Sequence, residues 1–228
     1  MITVEKEWLE FLEQKPQWDG PQRRTILLTP HPDDETLGAG GLIADLRKKN
    51  IDVSIIAITD GENSCPQNPN IRTIRQQEQE QALQLLGVSK KNIIRLKLKD
   101  SSVTLAEEEL EHLLLPLIHK KDHILSPWLG DYHSDHEAVG RVALKIAQQK
   151  KAQLSFYFFW TWHYSSVKDL EKFALQTYLL SDESFYLKQN ALSCYASQYA
   201  EESGRAILPP HLLIPAQRPF EVYFPYEY

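Results

Sequence analysis

Residues 25–35 read Thr25-Ile26-Leu27-Leu28-Thr29-Pro30-His31-Pro32-Asp33-Asp34-Glu35. The first five residues form an apolar run with a threonine at each end, the length of one buried strand. The run stops at Pro-His-Pro, where the two prolines fix φ on either side of the histidine. Adjacent carboxylates follow, and then a helix predicted from about Thr36 to Lys49. A buried strand that passes through a polar turn directly into a helix opens a βαβ unit.

The same alternation continues along the chain. Val53–Thr59 reads as a second strand, ending in the turn pair Asp60-Gly61. A Gln/Glu-rich helix is predicted from about Thr73 to Leu86, with Gly87 at the left-handed cap position. Strands at Asn92–Leu96, His123–Ser126 and Ser155–Phe159 alternate with helices at Leu105–Ile118 and about Asp135–Gln149. A short amphipathic helix at residues 3–14 precedes them. A helix around Ser184–Glu201 and an edge strand near Glu221–Phe224 follow. The expectation is an α/β fold, a Rossmann-like three-layer sandwich with a mostly parallel central sheet. Residues 1–228 form a single domain, and the irregular third at 160–228 covers the site edge.

Composition narrows the function. The chain has 228 residues, 42% hydrophobic, with a formal net charge of −6. Acids and bases are mixed, and no long basic run or RNA-type aromatic motif occurs, so nucleic acid is not an expected partner. The start of the chain lacks the basic and apolar regions of a secretory signal, and no window reaches the roughly 20 apolar residues of a transmembrane anchor. Cys65 and Cys194 make neither a disulfide framework nor a metal knuckle. A cytoplasmic protein is expected, with its oligomeric state unencoded. Gly38-Ala39-Gly40-Gly41 falls inside the first long helix, so close helix–strand packing explains it better than dinucleotide binding.

In an open parallel sheet, ligands bind beyond the carboxyl ends of the strands, where strand order reverses. Three polar clusters fall at such ends: His31–Glu35, Asp60-Gly61 and Asp131–His136. In the first, Asp33 and Asp34 point in different directions from one turn. One can bind a metal beside the His31 imidazole while the other stays free, although a helix-capping role would also explain them. In the third, Ser134 and Glu137 match a capping box, which starts a helix there and leaves His133 in the loop and His136 in the first turn. Two histidines and a carboxylate make a three-ligand set with open positions, as catalytic zinc sites have.

The strings Pro30-His31-Pro32-Asp33-Asp34-Glu35, Thr59-Asp60-Gly61 and His133-x-x-His136 resemble the LmbE/PIG-L family of zinc-dependent N-deacetylases, strongly over residues 24–150. The resemblance implies a hydrolase acting on a linear amide, removing an N-acetyl group from a small-molecule amino sugar or its conjugate. It implies His31, Asp34 and His136 as ligands of Zn2+, Asp33 as general base, and His133 as the group at the oxyanion or leaving amine. Arg75 and Asp100, with Asp60 of the turn, fall at substrate-binding positions. The mixed nitrogen/oxygen set also accepts iron (Fe2+) or manganese. Some relatives carry tyrosine two positions before the first histidine of the third string. Here position 131 is Asp, and Tyr132 follows. A non-sugar amide hydrolase and a catalytically silent sugar-binding module are the alternatives. Trp160, Trp162, His163 and Tyr164 either line the site or form a seam that buries the C-terminal helix.

Overall fold

The computed structural model describes residues 3–199 and 206–227. Its strands are β1 (Thr25–Thr29), β2 (Val53–Ala57), β3 (Ile93–Arg95), β4 (His123–Pro127), β5 (Gln153–Tyr157), β6 (Gln176–Leu179) and β7 (Phe220–Tyr226). Its helices are α1 (Glu5–Leu12), α2 (Asp34–Lys48), α3 (Ile71–Leu85), α4 (Glu107–Leu114) and α5 (Ser134–Lys150), then α6 (Thr161–Tyr164), α7 (Val167–Leu170), α8 (Asp182–Leu192), α9 (Ala196–Tyr199) and α10 (Pro210–Leu213). The described strands form one sheet in the order β3-β2-β1-β4-β5-β7-β6. The first five are parallel to their neighbours, and β7 runs antiparallel between β5 and β6. The expected α/β sandwich is therefore present. Among the described residues, no helix is long and apolar enough to cross a membrane.

Alternation along the strands builds the two cores. Ile26 and Leu28 of β1 face a cluster with Leu110 and Leu114 of α4 and Val139 and Ile146 of α5. Leu27 points the other way, into a cluster with Leu42 and Ile43 of α2, Leu83 of α3 and Ala191 of α8. Since every β1 position is buried, its sequence is an unbroken run rather than an alternation.

The glycines of α2 serve packing, as expected. A Cβ on Gly38 would lie 2.3 Å from Cδ2 of Tyr157, whose hydroxyl donates to the Leu28 carbonyl at 2.9 Å. Just beyond, Ala39 leaves helical geometry (φ −147, ψ 15) and kinks α2. The Gly41 and Leu42 N–H groups donate instead to the Glu221 carboxylate of β7, at 2.8 and 2.9 Å. Buried Lys188 balances that carboxylate at 2.8 Å.

Three sequence expectations need correction. The strand near 221–224 is not an edge: β7 is internal, and the unpredicted β6 takes the edge. The predicted helix at 184–201 divides into α8 and α9, and its last two positions lie outside the described residues. The Ser134/Glu137 capping box is not formed. His133 is the N-cap of α5, and its Nδ1 accepts the Asp135 N–H at 3.3 Å. Switch-point geometry holds, since the chain builds β1, β2 and β3 outward and then crosses to β4 on the other side of β1.

Gly38→Ala should destabilise the fold by about 1–3 kcal/mol through overpacking against Tyr157. A urea-unfolding midpoint equal to wild type would contradict that packing account.

Candidate functional site

The loops after β1 and β4 bring four expected residues together. Asp34 Oδ2 lies 3.2 Å from His31 Nδ1 and 3.3 Å from His136 Nε2. The outer nitrogens of both rings face other carboxylates. His136 Nδ1 is 2.9 Å from Asp131 Oδ2. His31 Nε2 is 3.3 Å from Asp100 Oδ1 and 3.4 Å from Asp135 Oδ2. Those carboxylates hold the protons of the neutral rings on the outer nitrogens. The inner nitrogens are then bare acceptors aimed at a carboxylate oxygen, and His136 Nε2 is buried without a hydrogen-bond partner. Three acceptors cannot converge unless positive charge lies among them, carried by added ring protons without an ion or by a divalent cation with neutral rings, so the residues fit such a cation.

Titration expresses the same need for charge. Burial alone would lower the His136 pKa, but the Asp34 charge and the hydrogen bond to Asp131 lift it to about 9. Burial also opposes charging of His31, and hydrogen bonds to Asp100, Asp135 and Asp34 hold it well above its usual value. Burial pushes Asp34 up, but the two imidazoles hold it well below the ordinary carboxylate range.

His133 completes the group: potential ligand atoms of His31, His133 and His136 lie within 4.8 Å of one another. His31, Asp100 and Asp135 form a second such group. There the carboxylates already accept backbone N–H bonds, from Asn63 to Asp100 and from Ser101 and Val103 to Asp135. Asp34 Oδ2 likewise accepts the His31 N–H at 2.9 Å, but the first group adds further imidazoles and the buried, unpartnered His136 Nε2, and is therefore the better cation site. Burial, then the positive charges of His136 and His31, lowers the His133 pKa to about 4. With Nδ1 accepting the Asp135 N–H, the neutral ring carries its proton on Nε2 as a donor.

Asp33 caps α2 with φ 139 and ψ −30, a conformation that costs a side-chain-bearing residue about 1–3 kcal/mol. Its carboxylate makes no capping bond; Oδ2 accepts Arg75 Nη2 at 3.0 Å. Arg75 also donates to the carbonyls of Pro32 at 2.8 Å and Gly61 at 3.1 Å. Gly61 has φ 64, and a Cβ there would lie 2.1 Å from Arg75 Nη1, so the Asp60-Gly61 turn needs its glycine to seat the guanidinium. Burial raises the Asp33 pKa to about 7 against the opposing charge of Arg75.

A cavity of about 240 Å³ opens over these groups. Its polar wall includes Asn63, Ser64, Asp100 and Ser101, and its apolar wall Leu37, Phe159, Trp160, Ile207 and Leu208. Arg75 and Asp100 thus reach the cavity, although Arg75 is tied to Asp33. Asp60 does not line it; the carboxylate is buried, 3.5 Å from Arg95 and 4.0 Å from Arg72. Within the aromatic segment, Trp160 lines the cavity, while Trp162 joins a seam that buries the N-terminal helix rather than the expected C-terminal one, packing edge-on against Trp8 of α1 at 5.2 Å.

Sequence reasoning did not assign the partners of the histidines. Asp131 holds His136 and also accepts the N–H groups of Phe159, Trp160 and Thr161, tying the imidazole to the turn that carries Trp160. Glu35, fully buried, accepts the hydroxyls of Thr29 and Tyr195, each at 2.8 Å. The available signal was the alternation Asp131-x-His133-x-Asp135-His136, whose two carboxylates reach His136 and His31. Ser64 Oγ, buried without a partner, was legible only as part of a loop.

The family pattern described as PIG-L: GlcNAc-PI de-N-acetylase matches residues 26–147, from β1 through most of α5. A diacetylchitobiose deacetylase of Thermococcus kodakarensis is 26% identical over 131 residues, covering 54% of this chain and 48% of that protein. A probable N-acetyl-alpha-D-glucosaminyl L-malate deacetylase of Bacillus subtilis is 27% identical over 143 residues, covering 58% and 64%. The chain thus spans from about half to just under two thirds of these relatives' lengths. The solved N,N'-diacetylchitobiose deacetylase of Pyrococcus horikoshii shares the fold at a TM-score of 0.64 and 21% identity, covering 99% of this chain and 94% of that one. With the family pattern matched over more than half its length, the chain belongs to the PIG-L, or GlcNAc-PI de-N-acetylase, family.

Proposed function

We propose that this chain is a metal-dependent hydrolase that removes the N-acetyl group from an amino sugar or its conjugate. The observation that carries the reading is the convergence of His31 Nδ1, Asp34 Oδ2 and His136 Nε2, the last buried without a hydrogen-bond partner. Family membership and the deacetylase names of both curated relatives support the acetamide as the scissile group. His31, Asp34 and His136 would hold the ion, most simply Zn2+, which supplies Lewis acidity and lowers the pKa of a bound water towards 7.

The chain's own residues supply the rest. Asp33, steadied by Arg75, takes the proton of the attacking water. His133, with its proton on Nε2, donates to the oxygen that gains charge as the carbonyl carbon becomes tetrahedral. The carbon–nitrogen bond then breaks, and the amine leaves with a proton from this pair. The two-sided cavity suits a pyranose ring, with hydroxyls towards Asn63, Ser64 and Asp100 and the C–H face towards Trp160.

Incubating zinc-loaded protein with a panel of N-acetylated amino sugars and conjugates, and measuring primary amine, should give release from at least one sugar. Release from non-sugar amides alone would reject the sugar reading. Asp33→Ala should keep its zinc while turnover falls about 10²–10⁴-fold, and full turnover would remove Asp33 as base. Asp131→Asn should weaken zinc binding about 10–100-fold in competition with a chelator, because it loosens the His136 tautomer. Wild-type affinity would remove that orienting role.

A further inference from the structure

An aspartate at a helix N-cap ordinarily folds its carboxylate onto the N–H groups of the first turn. Asp33 does not, and its carboxylate is left to face Arg75 and the cavity. Glu35 reaches back instead: its Oε2 accepts the Asp33 N–H at 3.4 Å and the Thr29 hydroxyl at 2.8 Å. The Asp33 carbonyl is fixed as well, accepting the Thr36 and Leu37 N–H groups, each at 2.9 Å. Torsions as unfavourable as φ 139 persist only where the surroundings hold them, and the hold on the N–H side is Glu35.

The other oxygen of Glu35 is held from far along the chain. Tyr195, between α8 and α9, donates its hydroxyl to Glu35 Oε1 at 2.8 Å and meets the Thr36 hydroxyl at 2.9 Å. Glu35, Thr36 and Tyr195 are fully buried, so a partner lost here is not replaced from bulk water. The Tyr195 ring packs in the core with Ala39 and Leu42 of α2 and lines no part of the cavity. Packing alone would be served by phenylalanine, which buries no polar group. The Tyr195 carbonyl accepts the Gln198 N–H, and the Gln198 carbonyl accepts the N–H of Leu208, a residue of the apolar cavity wall. The segment that contributes to that wall thus also reaches beneath Asp33, from outside the residues 26–147 that match the family pattern.

We propose that Tyr195 is a positioning residue: through Glu35 it holds the Asp33 peptide in the torsions that aim its carboxylate at the cavity. The inference rests on the role proposed above for Asp33 and extends it to a side chain that touches neither substrate nor reacting atoms.

The test compares the full chain with Tyr195→Phe, which removes one oxygen and keeps the ring. With saturating zinc and an N-acetylated sugar that wild type deacetylates, kcat should fall about tenfold, while KM and bound zinc stay at wild-type values. Adding Tyr195→Phe to Glu35→Gln should cost little beyond Glu35→Gln alone, since both act along one path. A crystal structure of Tyr195→Phe should show Asp33 turned out of its φ 139 conformation. Wild-type kcat, a loss confined to KM, loss of zinc, losses that multiply in the double variant, or unchanged Asp33 torsions would each overturn the role. Collapse of the fold in Tyr195→Phe would assign the hydroxyl to stability and overturn it too. The crystal structure needs no turnover. It therefore decides the positioning even if wild type releases amine from no sugar, an outcome that rejects only the deacetylase reading.

Discussion

One carboxylate oxygen, Asp34 Oδ2, sits between two imidazole nitrogens whose protons are drawn to the far sides of their rings. Much of the surrounding architecture follows from that constraint. Asp100 from the segment after β3, Asp131 from the loop after β4 and Asp135 from the first turn of α5 act as orienting groups, and each is itself pinned by backbone N–H donors. Charges this deeply buried would be costly if unpaired, so the network is closed on every side except the one facing the cavity. The remaining demand is for positive charge at one point, which a divalent ion meets.

The sheet explains why the constraint can be satisfied. The β1 and β4 strands are hydrogen-bonded neighbours at the switch point, so the loops after them are adjacent although about a hundred residues apart in sequence. Rigid strands fix where the loops start, and the two cores fix the helices that continue them. Asp131 extends the coupling by gripping the turn at Phe159–Thr161, so one carboxylate ties the aromatic wall to His136. Asp33 carries unfavourable backbone torsions at the point where its carboxylate meets Arg75, as strained residues at working sites often do.

How much of this was legible in the sequence depends on how local the physics is. Strands β1, β2, β4 and β5 announce themselves because burial on both faces favours mostly apolar runs, with only scattered Ser, Thr, His or Gln within them. Strand β6 is four residues long with Gln and Thr in it, and β7 carries Glu221 for a buried bond to α2, so neither has that signature. His31-x-x-Asp34 and His133-x-x-His136 were readable because each pair lies within one turn. The tie between Arg75 and Asp33, and that between Asp100 and His31, join separate elements and have no local pattern. The capping box failed for a reason visible in the fold. His133 is extended at the cap position and uses its own Nδ1, which moves Ser134 into the helix.

The most direct test of the central claim is a crystal of the protein soaked with zinc, with anomalous diffraction recorded on both sides of the zinc edge. The account predicts a strong peak bounded by His31 Nδ1, Asp34 Oδ2 and His136 Nε2, with Asp131 still bonded to His136 Nδ1. A peak held instead by Asp100 and Asp135, or none beside Asp34, would contradict it.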